Sequence, residues 1–366
     1  MSKKRVLLAM SGGIDSSVSA YLLKRDGYDV VGVFMRNGAS FKSEHTGWHS
    51  CCSAEDAYDA RRTADILGIP FYILNFEQEF NTIINYFVSE YNRGRTPNPC
   101  VMCNKLLKFG KLFEYANGLD ADTIATGHYA RVEHLNTNGN GDRFLLKRGK
   151  DPSKDQSYAL FGLSQLQLAR TLFPVGNYLK QEVREIALRE NLPAKDKPES
   201  QEICFIPDDN YGRLLAEKVP ENISEGIVRT MDGKVVGKHS GYQLFTIGQR
   251  KGLGIALGKP AYVVDINAEE NTVTIGDDKD LLREIMLVRN VNWVSIEPPD
   301  IGTHIRADSK IRYNHTAAQS EVEVLKGNSV LVQFARPQRA VTPGQAAVFY
   351  QDDVVIGGGW IEKGDK

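Results

Sequence analysis

Two sets of residues in this chain have types and spacings suited to chemistry. The first set surrounds a glycine pair that follows the first apolar run. Residues 10–17 read MSGGIDSS and join a predicted buried strand to a predicted helix. Glycines let an anion approach the backbone, and the free N–H groups and dipole of a helix N-terminus favour negative charge. A plain glycine turn capped by Asp15 or Ser16 is the structural alternative. The motif is more complete than such a turn needs and has neither the Walker nor the dinucleotide spacing, so we expect a different phosphate-binding loop.

The second set consists of cysteines, too few for a disulfide scaffold: Cys51, Cys52, Cys100, Cys103 and Cys204. Two prolines in RTPNPCVMCN (95–104) predict an extended loop before a helix beginning near Lys105, which would place Cys103 near a helix N-terminus. Residues 91–111 contain cations and no acid, and both features favour a reactive thiolate. Cys204, in the apolar run SQEICFI, could equally be a small buried hydrophobe. Cys51 and Cys52 are adjacent, which suits a structural role better than metal chelation.

Up to about residue 200, short apolar runs alternate with helical patterns. The first units are a strand at 5–10, a helix at 16–26 and a strand at 28–35, followed by a helix ending at Gly68 and the strand FYILNF. Asp122–Thr126 predicts a further buried strand. This alternation predicts an α/β domain, a parallel sheet with helices on both faces whose ligands bind beyond the carboxyl ends of the strands.

After about residue 210 the sequence becomes rich in glycine and β-branched residues, which predicts a small β-rich module. From about residue 283 the apolar runs are spaced like antiparallel strands of a barrel or sandwich. We therefore expect three domains: a catalytic domain at 1–208, a small β-rich domain at 209–280 and an antiparallel β-barrel at 281–366. The polar residues 134–143 predict a hairpin turn.

Composition narrows the class of protein. The 366 residues are 42% hydrophobic and 25% charged, which excludes a disordered or fibrous chain. The net charge of -1 means that a polyanion would have to be held by local basic patches. No apolar run approaches the ~18 residues of a membrane span and no secretory signal is evident, so we expect a cytosolic protein without a membrane partner.

The motifs together indicate a family. SGGIDS resembles the pyrophosphate loop of the adenine-nucleotide α-hydrolases, and with TPNPCVMCN, TGHYA (126–130), KDQSY (154–158) and SQEICFI the chain resembles the tRNA-specific 2-thiouridylases from end to end. The resemblance implies ATP-dependent replacement of the 2-oxygen of a tRNA wobble uridine by sulfur. ATP would be cleaved to AMP and pyrophosphate with Mg²⁺, and sulfur would come from an upstream persulfide donor protein.

The resemblance also implies roles for individual residues. Cys103 matches the family's nucleophile and Cys204 its persulfide carrier, and the two would form a disulfide during turnover. Cys100 departs from the pattern, because some members have aspartate there, which puts a proton-transfer role in doubt; a spare resolving thiol is the alternative. His128 has the alternative of a hydrogen-bonded structural histidine. The implied nucleotide contacts are Ala9, Met10, Ser11, Gly12, Gly13, Ile14, Asp15, Ser16, Met35 and Gly127; the target-base contacts are Asn98, Pro99 and Cys100; the tRNA contacts are His128, Lys154, Asp155, Gln156, Arg312, Tyr313 and Gln345.

Three other functions use the same residues differently. An iron–sulfur tRNA thiolase would employ Cys100, Cys103 and Cys204 as cluster ligands. An amide-forming synthetase would keep the phosphate loop but need no cysteine pair. A non-enzymatic protein would bind RNA through its β domain and only sense nucleotide, which the intact loop disfavours.

Overall fold

The chain alternates strands and helices in its first half and is almost entirely strand in its second. The computed structural model describes residues 3–38, 54–136, 142–193, 203–206, 208, 210–255 and 258–364. The strands in chain order are β1 Arg5–Ala9, β2 Asp29–Arg36, β3 Phe71–Asn75, β4 Thr123–Thr126, β5 Ala130–Leu135, β6 Arg143–Arg148, β7 Thr171–Leu172, β8 Gly226–Thr230, β9 Val235–His239, β10 Tyr262–Asn267, β11 Thr272–Gly276, β12 Leu282–Asn292, β13 His304–Lys310, β14 Ala318–Leu325, β15 Ser329–Arg339, β16 Ala346–Gln351 and β17 Val354–Ile361. The α-helices are α1 Ile14–Arg25, α2 Ala54–Leu67, α3 Glu77–Asn92, α4 Pro99–Cys103, α5 Leu112–Gly118, α6 Gln165–Ala169, α7 Lys180–Arg189 and α8 Tyr211–Lys218.

A parallel sheet of five strands forms the first domain, in the order β3-β2-β1-β4-β7. Successive side chains of β1 point to opposite faces, and each face has its own core. Leu7 and Ala9 belong to a cluster with residues of α3, whereas Val6 and Leu8 belong to one with residues of α1 and α2. The predicted parallel sheet with helices on both faces is therefore confirmed, and the predicted strands at 5–10, 28–35, 71–76 and 122–126 are all present.

The hairpin expected around residues 134–143 is present as β5 and β6. It belongs to a different sheet from β4 and β7, the strands before and after it in the chain. β5 and β6 pair antiparallel, and β6 then pairs with β17, where Lys147 lies opposite Val354 and Leu146 opposite Val355. This hairpin thus extends the C-terminal sheet, although it is part of the first 208 residues.

The middle of the chain forms a small four-stranded sheet in the order β10-β11-β8-β9, with β8 and β11 parallel and the other neighbours antiparallel. Its core is a cluster of β-branched and aromatic side chains that includes Val228, Val263, Val273 and Phe245. The expected β-rich module is therefore present.

The C-terminal strands form a closed antiparallel barrel. Six strands follow one another in the order β12-β15-β14-β13-β16-β17, and pairing of β17 back to β12 closes the ring. Closure removes the free edges that an open sheet would expose. Val288, Val322, Val332 and Phe349 are buried in its core. The predicted barrel is confirmed.

The barrel and the first domain share a hydrophobic core. One cluster includes Val101 of α4 and Tyr158 together with Val348 and Tyr350 of β16. The hydroxyl of Tyr158 donates a hydrogen bond to the carbonyl of Ala346, 2.8 Å away.

Helices in the described part of the chain are all too short or too polar to cross a bilayer.

Candidate active site

The predicted phosphate loop lies between β1 and α1. α1 begins at Ile14, with Gly13 as an N-cap that provides no side-chain hydrogen bond, so the first N–H groups of the helix are not capped by it. The hydroxyl of Ser16 donates to the carbonyl of Gly13 at 3.0 Å and accepts from the N–H of Ser11 at 3.2 Å. Gly12 has φ +73°, and a Cβ there would lie 2.2 Å from the carbonyl oxygen of Asp56 in α2. The loop conformation therefore requires glycine at position 12.

The two expected adenosine contacts lie at the same edge of the sheet as this loop. β2 and β4 flank β1 on either side and are parallel to it, so their carboxyl ends meet next to the loop. Met35 is the penultimate residue of β2 and is half-buried. Gly127 follows β4, and a Cβ there would lie 2.9 Å from both Asp15 C and Ser16 N. Any side chain at position 127 would thus displace the start of α1.

Asp15 has two partners that the sequence did not indicate. Its carboxylate lies 2.7 and 2.9 Å from Nζ of Lys180, and it accepts a hydrogen bond of 2.7 Å from the hydroxyl of Tyr129. Lys180 is the first residue of α7, where a cation opposes the helix dipole. The one feature of the sequence that could have pointed to Lys180 is the position of a lysine in the first turn of a predicted helix after a strand.

The segment expected to hold the target base is helical earlier than predicted. The prediction of a loop up to a helix near Lys105 is wrong, because α4 begins at Pro99. Proline suits the first position of a helix, where its fixed φ fits and its missing N–H is not needed. Asn98 is the N-cap, and its Oδ1 accepts from the N–H of Val101 at 3.3 Å. Cys103 consequently ends α4 instead of lying near its N-terminus.

A π-helix, Asn104–Lys111, continues directly from α4 into α5. Such wide turns are frequent at functional sites. The buried amide of Asn104 donates from Nδ2 to the carbonyl of Ala159 at 3.0 Å, which fixes the residue after Cys103. Cys100, on the second position of α4, is exposed, whereas Cys103 is half-buried.

The basic character of residues 91–111 is weaker in the structure than in the sequence. Arg93 and Arg95 lie 3.5 and 2.7 Å from Glu90, and Lys111 lies 2.6 Å from Glu114. Glu90 and Glu114 lie just outside residues 91–111 in the sequence, and their ion pairs neutralise much of the charge invoked to activate Cys103. Of the five cations, Lys105 and Lys108 are the ones for which no such ion pair is found in the described residues.

The barrel fixes the residues immediately before Asn98. The amide of Gln345 donates to the carbonyls of Thr96 and Pro97 at 3.2 and 2.9 Å, and the N–H of Thr96 donates to the carbonyl of Pro343 at 2.9 Å. Arg95 completes the connection through Glu362, 2.6 Å away. Gln345, expected to contact tRNA, is therefore engaged in positioning this segment.

Both proposed sulfur-handling cysteines pack against one hydrophobic cluster. Cys103 and Cys204 are half-buried at the cluster that contains Ala9, the residue at the end of β1, and Met35 packs against it too. Phe205, next to Cys204, is fixed there by edge-on contacts with the rings of α3. The described cysteines, histidines and acids include no group of three placed to hold a metal, so Cys100, Cys103 and Cys204 do not form a ligand set. Cys51 and Cys52 lie outside the described residues.

Two of the four expected tRNA contacts of the first domain, His128 and Asp155, are buried. His128 is 8% exposed, its Nδ1 lies 2.6 Å from the hydroxyl of Thr126, and burial lowers its pKa well below the usual value. These features are those expected for the alternative of a hydrogen-bonded structural histidine. Asp155 is also buried and accepts from the N–H groups of Gly149 and Ser157. Gln156 accepts from the N–H of Tyr129 at 3.0 Å. Contact of these side chains with RNA stays a prediction.

Three other expected RNA contacts, Lys154, Arg312 and Tyr313, are at least partly exposed. Lys154 is partly exposed, in the turn before Asp155. Tyr313 is 42% exposed and packs edge-on against Tyr158. Arg312 beside it donates to the carbonyl of Arg339 at 3.3 Å. An exposed ring next to a guanidinium is the combination that RNA-binding surfaces use for stacking and phosphate contact.

Known proteins match nearly the whole chain. Residues 4–208 match a tRNA methyl transferase HUP domain, residues 213–277 a tRNA methyl transferase PRC-barrel domain and residues 283–361 an aminomethyltransferase beta-barrel domain. The tRNA-specific 2-thiouridylase MnmA of Clostridium perfringens strain 13 is 47% identical over 363 residues, 99% of each chain. Its counterpart from Natranaerobius thermophilus is 46% identical over 367 residues, 99% of this chain and 98% of that protein.

Similarity to solved structures is more distant. A 4-thiouridine synthetase in complex with RNA and ATP has a TM-score of 0.37 at 16% identity, covering 60% of this chain and 51% of that one. The NMN synthetase of Francisella tularensis has a TM-score of 0.34 at 15% identity, covering 57% and 71%. The sequence matches extend over nearly the full length of both partners at close to half identity. The chain belongs to the tRNA-specific 2-thiouridylase family.

Proposed function

We propose that this chain is an ATP-dependent sulfurtransferase that replaces the 2-oxygen of the wobble uridine of tRNA by sulfur. The observation that carries the proposal is the common cluster on which Cys103 and Cys204 pack, because the same cluster contains Ala9, the residue that leads into the phosphate loop. Activation of an oxygen by nucleotide and its replacement by sulfur would thus take place at one edge of one sheet. Membership of the family supports this assignment.

The first step activates a poor leaving group. The target uridine, flipped out of its stack toward Asn98, presents its 2-oxygen to the α-phosphorus of ATP. A bond forms between that oxygen and phosphorus, the bond to the β-phosphate oxygen breaks, and pyrophosphate leaves with the electron pair. Backbone N–H groups of Gly13 and the start of α1 stabilise charge on the phosphates. The oxygen donors of Asp15, Ser11 and Ser16 suit Mg²⁺, which when bound would offset phosphate charge.

The second step replaces oxygen by sulfur. The persulfide on Cys204, loaded by an upstream donor protein, can attack carbon 2 of the adenylated base and expel AMP, after which the Cys103 thiolate breaks the S–S bond. Alternatively, the Cys103 thiolate first displaces sulfide from Cys204, and the sulfide attacks carbon 2. In both routes sulfur remains on the base and a Cys103–Cys204 disulfide forms, which cellular thiols must reduce.

The test is an anaerobic reaction with iron-free protein, unmodified tRNA, ATP, Mg²⁺ and a persulfide donor, followed by mass spectrometry of the digested nucleosides. Thiouridine should form with the intact protein and be lost in Cys103→Ser and Cys204→Ser. Cys100→Ser tests the alternative of a spare resolving thiol, because Cys100 lies three residues from Cys103 and is exposed; thiouridine that still forms in this variant would exclude that role. Thiouridine that appears only after iron and sulfide are restored would instead establish the cluster enzyme.

The fate of ATP is measured in the same reaction. With label on the α-phosphate, we expect AMP to accumulate in a 1:1 ratio to thiouridine at early times, with unlabelled pyrophosphate. Labelled ADP would contradict cleavage between the α and β phosphates. An amide-forming synthetase would release AMP with free amino acids or ammonia and without tRNA.

A further inference from the structure

The phosphate loop carries a negative charge and no positive charge of its own. Residues 10–17 include Asp15 and neither lysine nor arginine. ATP brings several further negative charges to this loop, and the departing pyrophosphate gains charge as its bond to the α-phosphorus breaks. Like charges at such short range repel strongly in a partly buried site. A cation from elsewhere in the chain, in addition to bound Mg²⁺, would offset this charge at the loop.

Lys180 supplies that cation. Its side chain is 9% exposed, and its ammonium lies within 2.9 Å of both carboxylate oxygens of Asp15. α7 carries it there because this helix packs against α1: Val183 and Ile186 share a cluster with Ile14 and Val18. The pairing therefore follows from the packing of two helices that are far apart in sequence.

The position of Lys180 is fixed at both ends of the residue. Its backbone N–H donates to Oδ2 of Asp151 at 3.0 Å. Its ammonium lies 5.6 Å from the ring centroid of Tyr129, whose hydroxyl donates to the same Asp15 carboxylate. A buried ammonium at the positive end of a helix is unfavourable by itself, and in this structure the Asp15 carboxylate offsets that cost.

We propose that Lys180 is a catalytic residue of the adenylation step, whose ammonium contacts the β- and γ-phosphate oxygens of ATP and stays with pyrophosphate as it leaves. Asp15 belongs to the expected phosphate loop, so an ammonium within 2.9 Å of its carboxylate oxygens lies where the phosphates are expected. Before ATP binds, Asp15 holds the ammonium in place. No proton moves in the step, since Lys180 remains charged and offsets the electron pair that pyrophosphate takes. The inference rests on the proposed nucleotide chemistry.

The experiment measures binding of pyrophosphate and of AMP to the full chain by calorimetry, together with KM and kcat for ATP. Lys180→Met, which removes the charge and keeps the length, should weaken pyrophosphate binding at least tenfold, leave AMP within twofold and lower kcat about a hundredfold. Lys150→Met is the matched control, because Lys150 is an exposed lysine that pairs with Glu182 on the same helix. It should bind both ligands like the wild type.

A double variant separates contact with phosphate from neutralisation of Asp15. If Lys180 only cancels the charge of Asp15, then Asp15→Asn combined with Lys180→Met restores pyrophosphate binding, and the proposal is overturned. Equal weakening of AMP and pyrophosphate would overturn it too. If Lys180→Met does not fold, Lys180→Arg keeps the charge and should retain pyrophosphate binding; loss of that binding in a folded Lys180→Arg variant counts against it.

The two proposals fail in different ways. Pyrophosphate binding requires neither tRNA nor sulfur. Wild-type protein that binds pyrophosphate through Lys180 but forms no thiouridine would contradict the proposed function alone. Wild-type protein that thiolates tRNA, while Lys180→Met binds pyrophosphate equally well, would contradict only the role of Lys180.

Discussion

At Gly12 the phosphate loop adopts a conformation that other residues disfavour, with φ +73° and no room for a side chain next to Asp56. We expect Gly12→Ala to lower the free energy of unfolding by about 2 kcal/mol or more, since left-handed strain alone costs on the order of 1–3 kcal/mol and the clash with backbone adds to it. ATP binding should weaken as well. Thermal unfolding and calorimetric titration with ATP measure the two effects.

Gly13→Ala is the matched control for this prediction. The neighbouring glycine has φ -91°, and the nearest atom to an added Cβ is Oγ of Ser11 at 3.5 Å. Only its N-cap position opposes alanine, which should cost at most about 1 kcal/mol. Equal loss of stability in the two variants would show that the conformation described for Gly12 is not what limits the loop.

Arg312 tests where the RNA binds. Arg312→Gln should weaken tRNA binding and reduce the slope of log affinity against log salt by about one, because a lost phosphate contact releases fewer counterions. ATP binding should not change, since the residue belongs to the barrel. Binding titrations at several salt concentrations provide both numbers. Lys326→Gln, an exposed lysine in the turn between β14 and β15, is the control, and an unaltered tRNA affinity for Arg312→Gln would exclude this contact.

The sequence was sufficient to identify site residues that are neighbours in the chain. It did not reveal site residues that are distant in the chain and come together only in the folded structure. The phosphate loop and the cysteine motifs are short, and their chemistry is readable from residue type and spacing. Tyr129 and Lys180 are common residue types, and they reach Asp15 only because β4 and α7 pack beside α1. His128 shows the converse, since a motif residue expected at the surface is buried against Phe109 and Phe173.

Among the elements, α4 shows why a motif rich in proline misleads. The residue before a proline avoids the helical region, so Pro97 and Pro99 predicted a loop. Pro99 instead occupies the first helical position, and Asn98, whose φ of -122° and ψ of 85° are not helical, caps it. The same local rules are compatible with both structures. The hydrogen bonds from Gln345, which lies in another domain, select one of them.

Gln345→Leu tests whether the barrel positions α4. The variant loses both hydrogen bonds to the 96–97 carbonyls, each worth about 1 kcal/mol, and leaves two acceptors without that donor. We expect kcat for thiolation to fall about tenfold and ATP affinity to stay the same, because the phosphate loop is on a different element. Single-turnover thiolation and ATP titration measure this.

The control for that prediction is Gln351→Leu. Gln351 ends β16 of the same barrel, and its amide donates to the carbonyl of Arg306 at 3.0 Å. The lost hydrogen bond is similar, but it lies outside the contact with the first domain. If both variants lower kcat equally, the effect comes from general loosening of the barrel and the positioning role of Gln345 is wrong.

At the scale of the whole molecule, the three regions expected from the sequence correspond to the three observed sheets. The pairing of strands between regions was not predicted. Strand alternation predicted a parallel sheet, a small β module and a barrel, and each is present. The sequence could not show that the β5–β6 hairpin continues the barrel sheet, because pairing of β6 with β17 joins segments about two hundred residues apart. The shared cluster around Tyr158 and Tyr350 follows from that pairing.

Each of the three regions contains a histidine with a lowered pKa; His128 and His239 are buried and His315 is half-buried. Burial is the largest cause at His128 and His239, and at His315, where Arg312 also contributes. Such a histidine stays neutral in the folded protein at a pH where the unfolded chain already binds a proton. Above about pH 7.5 both states are neutral and the effect vanishes; as the pH falls through about 6.5, protonation stabilises the unfolded chain. Stability should therefore fall on acidification.

His128→Gln tests how much one of these histidines contributes to the pH dependence of stability. The wild-type Tm should decrease steadily from pH 7 to pH 5, since each neutral buried histidine lowers the free energy of unfolding by up to about 1.4 kcal/mol per pH unit. The variant should start from a lower Tm at pH 8, because it loses packing, but its Tm should decline less steeply. His304→Gln is the control for the substitution itself: it removes an exposed histidine of the barrel and should not lower the Tm at pH 8. Identical slopes for wild type and His128→Gln would mean that His128 is protonated in the folded protein.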